Sequence, residues 1–208
     1  MAIPILVYGK SGSGKSRSLK NFKEDEIVLF NVIGKELPFK KTFRYEVFSD
    51  SYAQIKDALK TIPTDIAVID DAGYLQTNAF MRGHSAPKGG GSTFDLFNQI
   101  GDDFWSLLMF IKREVPPKKR VYIMMHELSN DYGDVKLRTV GKLLDEKVCI
   151  EGMVTVCLRC MTDGKRHWFK TQAGSQDIAK SPEEMFPSGE IENDLAAVDA
   201  AVRGFYGL

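Results

Sequence analysis

The residue types best suited to chemistry lie near the start of the chain, where Gly9 to Ser16 read GKSGSGKS. The stretch matches the pattern G-x-x-x-x-G-K-[ST] at every fixed position. Glycines in such a loop let backbone N–H groups turn inward around phosphate oxygens, where a side chain would block the approach. Lys15 would reach the β- and γ-phosphates of a nucleotide, and the Ser16 hydroxyl would bind Mg²⁺. The predicted nucleotide contacts are Gly9, Lys10, Ser11, Gly12, Ser13, Gly14, Lys15, Ser16 and Arg17.

The flanking residues give this loop the context that a phosphate-binding loop needs. IPILVYG, which precedes it, is a short apolar run that ends at a glycine and is typical of a buried parallel strand. KSRSLKNF, which follows, contains helix-compatible residues and no helix breaker. A helix starting there would add the positive end of its dipole to the phosphate site.

A second candidate is an acid at the end of another apolar strand, DIAVIDD. Asp70 closes this strand and is the candidate for holding Mg²⁺ through water. The chain between Lys15 and Asp70 leaves room for at least one further strand with its crossover. This spacing is typical of RecA-like and AAA-like ATPases, which insert a strand between the loop strand and the acid strand. Small-molecule kinases with the same loop usually place those two strands side by side.

Hydrolysis of a nucleotide also requires a group that orients water and accepts its proton, and two acids are candidates. Asp71 directly follows the metal acid, but it is one methylene shorter than the Glu found there in many such ATPases. Glu36 follows the second predicted strand, EIVLFNVIG, where RecA-like enzymes carry a catalytic Glu. We favour Asp71 and keep Glu36 as the alternative.

His126 ends the strand VYIMMH, which we expect to lie next to the loop strand. A polar group there would hydrogen-bond the γ-phosphate and transmit its loss to the segment that follows, although a purely structural hydrogen bond is the alternative. That segment, 128–142, is polar and contains Lys136 and Arg138. It is predicted to be a mobile loop that binds DNA or reaches a neighbouring subunit.

A second candidate mobile loop spans 78–93 and reads NAFMRGHSAPKGGGST. Arg82 and Lys88 would contact phosphates of single-stranded DNA, while Phe80 or His84 would stack on bases. An ordinary insertion without a binding role is the alternative.

Taken in order along the chain, these motifs resemble those of phage-encoded RecA-like ATP-binding proteins. The resemblance rests on the phosphate loop, IAVIDDAGYLQ, the strand ending in His126, and the late stretches DIAKSPEEMFP and IENDL. Some members of this group act as single-strand annealing proteins in phage recombination. The resemblance implies an ATP-dependent protein that binds single-stranded DNA, assembles into rings or filaments and works beside a single-strand DNA-binding protein.

The resemblance also implies roles for individual residues. Lys15 and Ser16 would be the loop pair, Asp70 the metal acid and His126 the γ-phosphate sensor. Lys180 stands where related ATPases carry K-x-[RK], a pair that reaches the neighbour's nucleotide, but its second member here is Pro182. The K-x-R formed by Lys136 and Arg138 is the alternative for this trans-acting role.

Two further features have alternative interpretations. Lys10 matches a lysine that crosses a dimer interface in a partitioning-type branch of these ATPases, but that branch has glycine where this chain has Ser11, which favours an exposed loop lysine. Cys157 and Cys160, followed by His167, suggest zinc. Residues three apart on a strand point to opposite faces, however, which disfavours a shared metal.

These residues must be positioned by a larger fold, and the composition limits what that fold is. A chain of 208 residues suits one packed domain, so 1–208 is predicted to be a single α/β domain. Strands alternating with helices predict a mostly parallel central sheet flanked by helices, a RecA-like P-loop fold, with a C-terminal β-hairpin turning at Asp163-Gly164.

Charge and cysteine content limit the partners and the compartment. The 28 basic and 28 acidic side chains cancel, so any nucleic-acid contact must come from a local patch. Three cysteines do not make a secreted disulfide framework, and no apolar run reaches membrane-spanning length. We therefore expect a cytoplasmic protein (in the host cell, if phage-encoded) that has no membrane partner.

The functional prediction is an ATPase with ATP and Mg²⁺ as ligands, acting on single-stranded DNA in recombination or replication. One alternative is an NTPase switch or assembly factor with no DNA role, which the neutral net charge permits. Another is a small-molecule kinase, which the spacing between the loop and the acid disfavours.

Overall fold

The computed structural model of the protein describes residues 1–85 and 92–208. The strands are β1 (Ile3–Gly9), β2 (Ile27–Asn31), β3 (Tyr45–Phe48), β4 (Ile66–Asp70), β5 (Arg120–Ser129), β6 (Val135–Leu137), β7 (Val156–Thr162), β8 (His167–Lys170) and β9 (Glu190–Glu192). The α-helices are α1 (Tyr52–Lys60), α2 (Gly73–Gly83), α3 (Thr93–Arg113) and α4 (Leu195–Tyr206). Shorter helical turns cover Ser16–Asn21, Leu143–Lys147 and Glu151–Met153.

Within the described ranges these strands form one mixed, nine-stranded sheet in the order β3-β2-β4-β5-β1-β7-β8-β9, with β6 paired to β5 beside this path. All pairings from β3 across to β7 are parallel. The pairings of β6, β8 and β9 are antiparallel. The predicted α/β class, the mostly parallel sheet and the C-terminal hairpin are therefore confirmed.

Both faces of the sheet are covered, because alternate residues of each buried strand face opposite sides. In β1, Leu6 and Tyr8 pack in the core layer that contains α1 and α3. Ile5 and Val7 pack in the other layer, with Leu19, Phe22 and α4. The continuous apolar runs of the central strands follow from this burial on two sides.

Helices α1 and α3 begin at residues whose side chains cap them. The Ser51 side chain accepts a hydrogen bond from the backbone of Gln54 at the start of α1. Ser92 and Asp95 form a capping box at the start of α3. Gly101 does not interrupt α3, because its missing side chain makes room for Leu143: a Cβ there would lie 2.7 Å from Leu143 Cδ2.

Parts of the two segments predicted as mobile loops form helix or strand, which the sequence reasoning did not expect. Residues 78–83 belong to α2, and α3 already begins at Thr93. Lys88 lies outside the described residues. In 128–142, β5 and β6 form a hairpin whose turn is held by Asn130 Oδ1, which accepts from the N–H groups of Tyr132 (3.0 Å) and Asp134 (2.9 Å). The alternation that buries Val135 and Leu137 is a strand pattern within a polar segment.

The helix expected after the phosphate loop is a short 3₁₀ turn, Ser16–Asn21, and not a long α-helix. It ends at Phe22, which is fully buried under the sheet. A turn this short has a much smaller helix dipole than the helix expected from the sequence. None of the helices in the described ranges is both long and apolar enough to cross a membrane.

Candidate nucleotide site

Three neighbouring parallel strands bring the predicted catalytic groups to one edge of the sheet. β5 lies between β1 and β4, so a strand separates the loop strand from the acid strand, as the spacing predicted. Gly9 at the end of β1 is in register with His126 in β5. Asp70 ends β4 on the other side of β5. Carboxyl ends of parallel strands share one edge of the sheet, and this is where open α/β folds bind ligands.

The loop from Gly9 to Ser16 packs so tightly that side chains are excluded at two of its glycines. A Cβ on Gly9 would lie 2.4 Å from the Cys160 carbonyl oxygen. Gly14 has φ +106°, and a Cβ there would lie 2.7 Å from His167 Nδ1. Gly9 is required because the Cys160 backbone approaches so closely, and Gly14 is required because its backbone conformation disfavours other residues.

Lys15 folds back over its own loop. Its Nζ donates to the carbonyl oxygens of Gly9 and Lys10, both at 3.0 Å, and the side chain is buried. Burial lowers the pKa of Lys15, while the charges of Asp71 and Asp70 oppose that shift. The carbonyl groups thus hold the ammonium where a phosphate would be a stronger partner.

Ser16 and Asp70 meet directly. Ser16 Oγ donates to Asp70 Oδ2 at 2.7 Å. Among the described residues, the other oxygen of this buried carboxylate, Oδ1, has no hydrogen-bond partner. Burial and the neighbouring Asp71 charge raise the pKa of Asp70, against the effects of Lys35 and the Ser16 hydroxyl. A buried carboxylate with an unused oxygen beside a hydroxyl is a donor set that suits Mg²⁺.

No group of three or more His, Cys, Asp or Glu residues within the described ranges is arranged to hold a metal ion. A cation at Ser16 and Asp70 would therefore complete its shell with phosphate oxygens and water, as Mg²⁺ usually does. Cys157 and Cys160 pack in opposite core layers, because they lie three residues apart on β7. The Cys160 thiol and His167 Nδ1 instead contact the carbonyl oxygen of Ser13, at 3.1 and 2.7 Å.

Asp71 is buried and held between basic groups. It forms an ion pair with Lys35, and His126 Nδ1 lies 3.8 Å from Asp71 Oδ1. Its backbone has φ 55°, an uncommon conformation for a residue other than glycine. Burial and the Lys15 charge lower the pKa of His126, while Asp71 opposes this. His126 also contacts the edge of the Tyr74 ring, with ring centroids 6.0 Å apart.

A cavity of about 440 Å³ opens beside these groups. The described residues in its wall are Ser11, Gly12, Gly14, Lys15, Ser16, Arg17, Lys35, Glu36, Pro38, His126 and His167. Glu36 is exposed there, and Arg17 donates to Asn193 Oδ1 at 3.1 Å. Lys10 is exposed and contributes its carbonyl group to Lys15. Ser13 is buried behind the loop.

Sequence reasoning missed Lys35 and Asn193, and it considered His167 only as a zinc ligand. Lys35 precedes Glu36 in the segment after β2, so its position beside the loop was a usable signal. His167 reaches Ser13 because β8 pairs antiparallel with β7, which itself pairs with β1. Asn193 contacts Arg17 and Cys160 from the segment after β9. No local sequence pattern predicts the contacts that His167 and Asn193 make.

A second cavity of about 600 Å³ adjoins the first and shares Ser11 and His126 with it. The other described residues in its wall are Gly73, Tyr74, Thr77, Phe80, Phe97, Arg138, Thr139, Val140 and Gly141. The rings of Phe80 and Phe97 are stacked, with centroids 5.3 Å apart. The Arg138 N–H donates to the His126 carbonyl oxygen at 2.8 Å, which connects this wall to the first cavity.

The other predicted cations lie apart from the nucleotide cavity. Arg82 pairs with Asp50 at 2.5 Å, and Lys136 pairs with Asp145 at 2.6 Å. His84 stacks on Phe80, with centroids 5.3 Å apart. The Lys180 backbone pairs with Cys157, several residues before the end of β7 that faces the loop. The structure thus brings Lys15, Ser16, Asp70, Asp71, Glu36 and His126 together and leaves Arg82, Lys136 and Lys180 outside.

A scan of the chain against models of known protein families finds no match. A search of curated proteins also finds no match. The assignment of a function to this site therefore depends on the residues themselves and on the contacts between them.

Proposed function

We propose that the protein binds ATP with Mg²⁺ and hydrolyses it to ADP and phosphate. The observation that supports this most is the 2.7 Å hydrogen bond from Ser16 Oγ to Asp70 Oδ2. It joins the last residue of a phosphate-loop motif to an acid 54 residues away, at the end of another strand. A Ser hydroxyl and a strand-end Asp are the pair that holds Mg²⁺ in P-loop NTPases.

We further infer that the α/β fold is of the RecA-like P-loop type. The position of β5 between β1 and β4 supports this, because kinases with the same loop usually place the loop strand next to the acid strand. The register of Gly9 with His126 supports a sensor role for the histidine, since both lie at the edge where the γ-phosphate would sit.

In the proposed reaction, Lys15 leaves the Gly9 and Lys10 carbonyl groups for the β- and γ-phosphate oxygens. Ser16 and Asp70 would hold Mg²⁺, which would neutralise the charge that develops on the phosphates. Asp71 orients a water molecule and accepts its proton. The water oxygen bonds to the γ-phosphorus, and the bond to the bridging oxygen breaks with its electron pair leaving on ADP. His126 hydrogen-bonds the γ-phosphate.

Glu36 is the alternative base, because it is exposed in the wall of the same cavity. Asp71 has the more fixed position: it is buried, and the N–H of the next residue, Ala72, donates to the Met124 carbonyl oxygen at 2.8 Å. A fixed acid is the better candidate for orienting water, since misplacement of a catalytic group is costly.

Nucleotide affinity of Lys15→Ala tests the proposal. Lys15 makes its side-chain hydrogen bonds to two carbonyl groups of its own loop and to no other segment of the described chain, so the variant should fold and lose most ATP affinity. Lys10→Ala is the matched control, because Lys10 is exposed in the same loop and its side chain is not in the cavity wall formed by the described residues. Calorimetric titration with Mg-ATP measures both variants. Unchanged ATP affinity in Lys15→Ala would overturn the assignment.

We also propose that the ATPase acts on single-stranded DNA, and the second cavity favours this. Its wall combines the stacked Phe80 and Phe97 rings with Arg138, residue types that hold an unpaired base and its phosphate. Assembly of subunits along one strand would multiply this local affinity, with Lys180, or Lys136 and Arg138, as candidates for reaching a neighbour's nucleotide.

ATP turnover and molecular mass with and without an oligonucleotide test the DNA role. Faster turnover and a larger assembly in the presence of single-stranded DNA are expected. Turnover that DNA leaves unchanged would favour an NTPase switch or assembly factor. Transfer of the γ-phosphoryl group to a small acceptor would favour a kinase.

A further inference from the structure

The ion pair between Lys35 and Asp71 joins groups of very different accessibility. The Lys35 side chain is 42% exposed, whereas that of Asp71 is 2% exposed. Lys35 follows β2 in a loop, while Asp71 is fixed between β4 and α2. Since the lysine has open space and the aspartate has none, the lysine is the partner that is able to leave.

Lys35 also stands between Asp71 and the nucleotide cavity. The cavity wall contains Lys35 and His126, the two basic groups that approach the Asp71 carboxylate. Asp71 itself is not part of the wall formed by the described residues. Lys35 occupies Oδ2, and Oδ1 has no hydrogen-bond partner among the described residues. In this arrangement a water molecule in the cavity has no direct access to the carboxylate.

Lys35 is a cation in this position. Burial lowers the pKa of Lys35, but the hydrogen bond to Asp71 and the charges of Asp70 and Asp71 outweigh burial and raise the pKa overall. The same ammonium lies in the cavity wall with Lys15 and Ser16, the residues that would contact the β- and γ-phosphates. A terminal phosphate carries roughly two negative charges, so it competes strongly with a single carboxylate.

We propose that Lys35 is a lock on Asp71 that the γ-phosphate of ATP opens, and that this exchange of partners makes the site discriminate ATP from ADP. The inference rests on the proposed ATP site. When ATP binds, the Lys35 ammonium moves from Asp71 Oδ2 to a γ-phosphate oxygen and exposes the carboxylate to water. ADP lacks that phosphate and leaves the ion pair closed. Release of the product phosphate restores it.

A purely structural ion pair would behave differently. Removing one partner of a buried pair destabilises a protein because a charge is left without compensation, whereas removing both partners is often tolerated. A structural pair would therefore affect ATP and ADP binding alike, through the stability of the site. A lock predicts instead an effect specific to the γ-phosphate and a coupling between Lys35 and Asp71 in ATP binding.

The test is a double-mutant cycle with Lys35→Met, Asp71→Asn and the double variant, titrated by calorimetry with ADP and with the β,γ-imido analogue of ATP in Mg²⁺. We expect Lys35→Met to weaken analogue binding about tenfold and ADP binding less than about twofold, as loss of a charge-assisted contact predicts. Asp71→Asn should tighten analogue binding, because Lys35 no longer has to leave a partner. In a protein that already carries Lys35→Met, Asp71→Asn should tighten analogue binding much less.

Lys40→Met is the matched control, since Lys40 is an exposed lysine of the same loop, and it should bind both nucleotides as the wild type does. Equal weakening of both nucleotides by Lys35→Met, or an Asp71→Asn effect that is the same in both backgrounds, would overturn the lock and leave the ATP site standing. Wild-type protein that binds neither nucleotide would overturn both proposals. If Lys35→Met does not fold, the comparison of Asp71→Asn with the double variant decides.

Discussion

Ser16 Oγ lies 2.7 Å from Asp70 Oδ2, so the phosphate loop and the acid strand are in direct contact across the end of β5. The contact joins the loop that follows β1 to the end of β4, two strands away in the sheet. It leaves Asp70 Oδ1 buried and, among the described residues, unpartnered. In the proposed site this oxygen would be available to Mg²⁺.

The first prediction concerns Mg²⁺. Ser16→Ala and Asp70→Asn should each weaken Mg-ATP binding by at least about tenfold, because the first removes a hydroxyl ligand and the second removes the negative charge of the carboxylate. Titration in excess EDTA is the control: without Mg²⁺, Ser16→Ala and the wild type should bind ATP alike. A Ser16→Ala defect that persists undiminished in EDTA would show that the hydroxyl does not act through the metal.

The second prediction concerns the base. Asp71→Asn should bind ATP at least as tightly as the wild type and lower turnover about 10²- to 10⁴-fold, the range expected for loss of general-base catalysis. Glu36→Gln is the matched control, since it removes an acid from the same cavity wall. Single-turnover hydrolysis measures both variants. Normal hydrolysis by Asp71→Asn together with loss in Glu36→Gln would assign the base to the segment after β2.

The third prediction concerns DNA. Arg138→Ala should lower the slope of log affinity against log salt by about 0.7, the value for one phosphate contact on a single strand. Arg82→Ala should leave the slope unchanged, because Arg82 is already paired with Asp50. Fluorescence anisotropy of a labelled oligonucleotide across a salt series, with ATP present, measures both. A slope that Arg82→Ala lowers and Arg138→Ala leaves unchanged would place the DNA contact on α2.

The fourth prediction concerns stability at the far end of the sheet. Asp199 on α4 pairs with Arg120 (2.8 Å) and accepts from Tyr122 Oη (2.9 Å), and all three are buried. Asp199→Ala should lower the free energy of unfolding by about 3–5 kcal/mol, because it leaves the buried Arg120 guanidinium without its charged partner. Asp57→Ala, which breaks the exposed pair with Lys60, should cost no more than about 1 kcal/mol. Urea unfolding measures the free energy of unfolding of both variants, and equal decreases in the two would contradict the prediction.

The sequence by itself determined the α/β class, the loop motif and the acid at the end of β4. These features are local, because a run of buried residues, a glycine pattern or a cap depends on neighbours in the chain. The same local reasoning failed at 78–83 and 128–142, where polar, glycine-containing segments form α2 and the β5–β6 hairpin. Burial of a few residues such as Leu75 and Val135 outweighed the loop-like composition.

Only the tertiary structure decided which side chains meet. The order of the strands places β5 between β1 and β4 and thereby brings Ser16, Asp70 and His126 to one edge. It also places Lys35 on Asp71, and His167 and Cys160 on Ser13. These contacts join residues far apart in the chain, and they depend on strand pairing and on the angle at which loops leave the sheet. No period or motif within one segment carries that information.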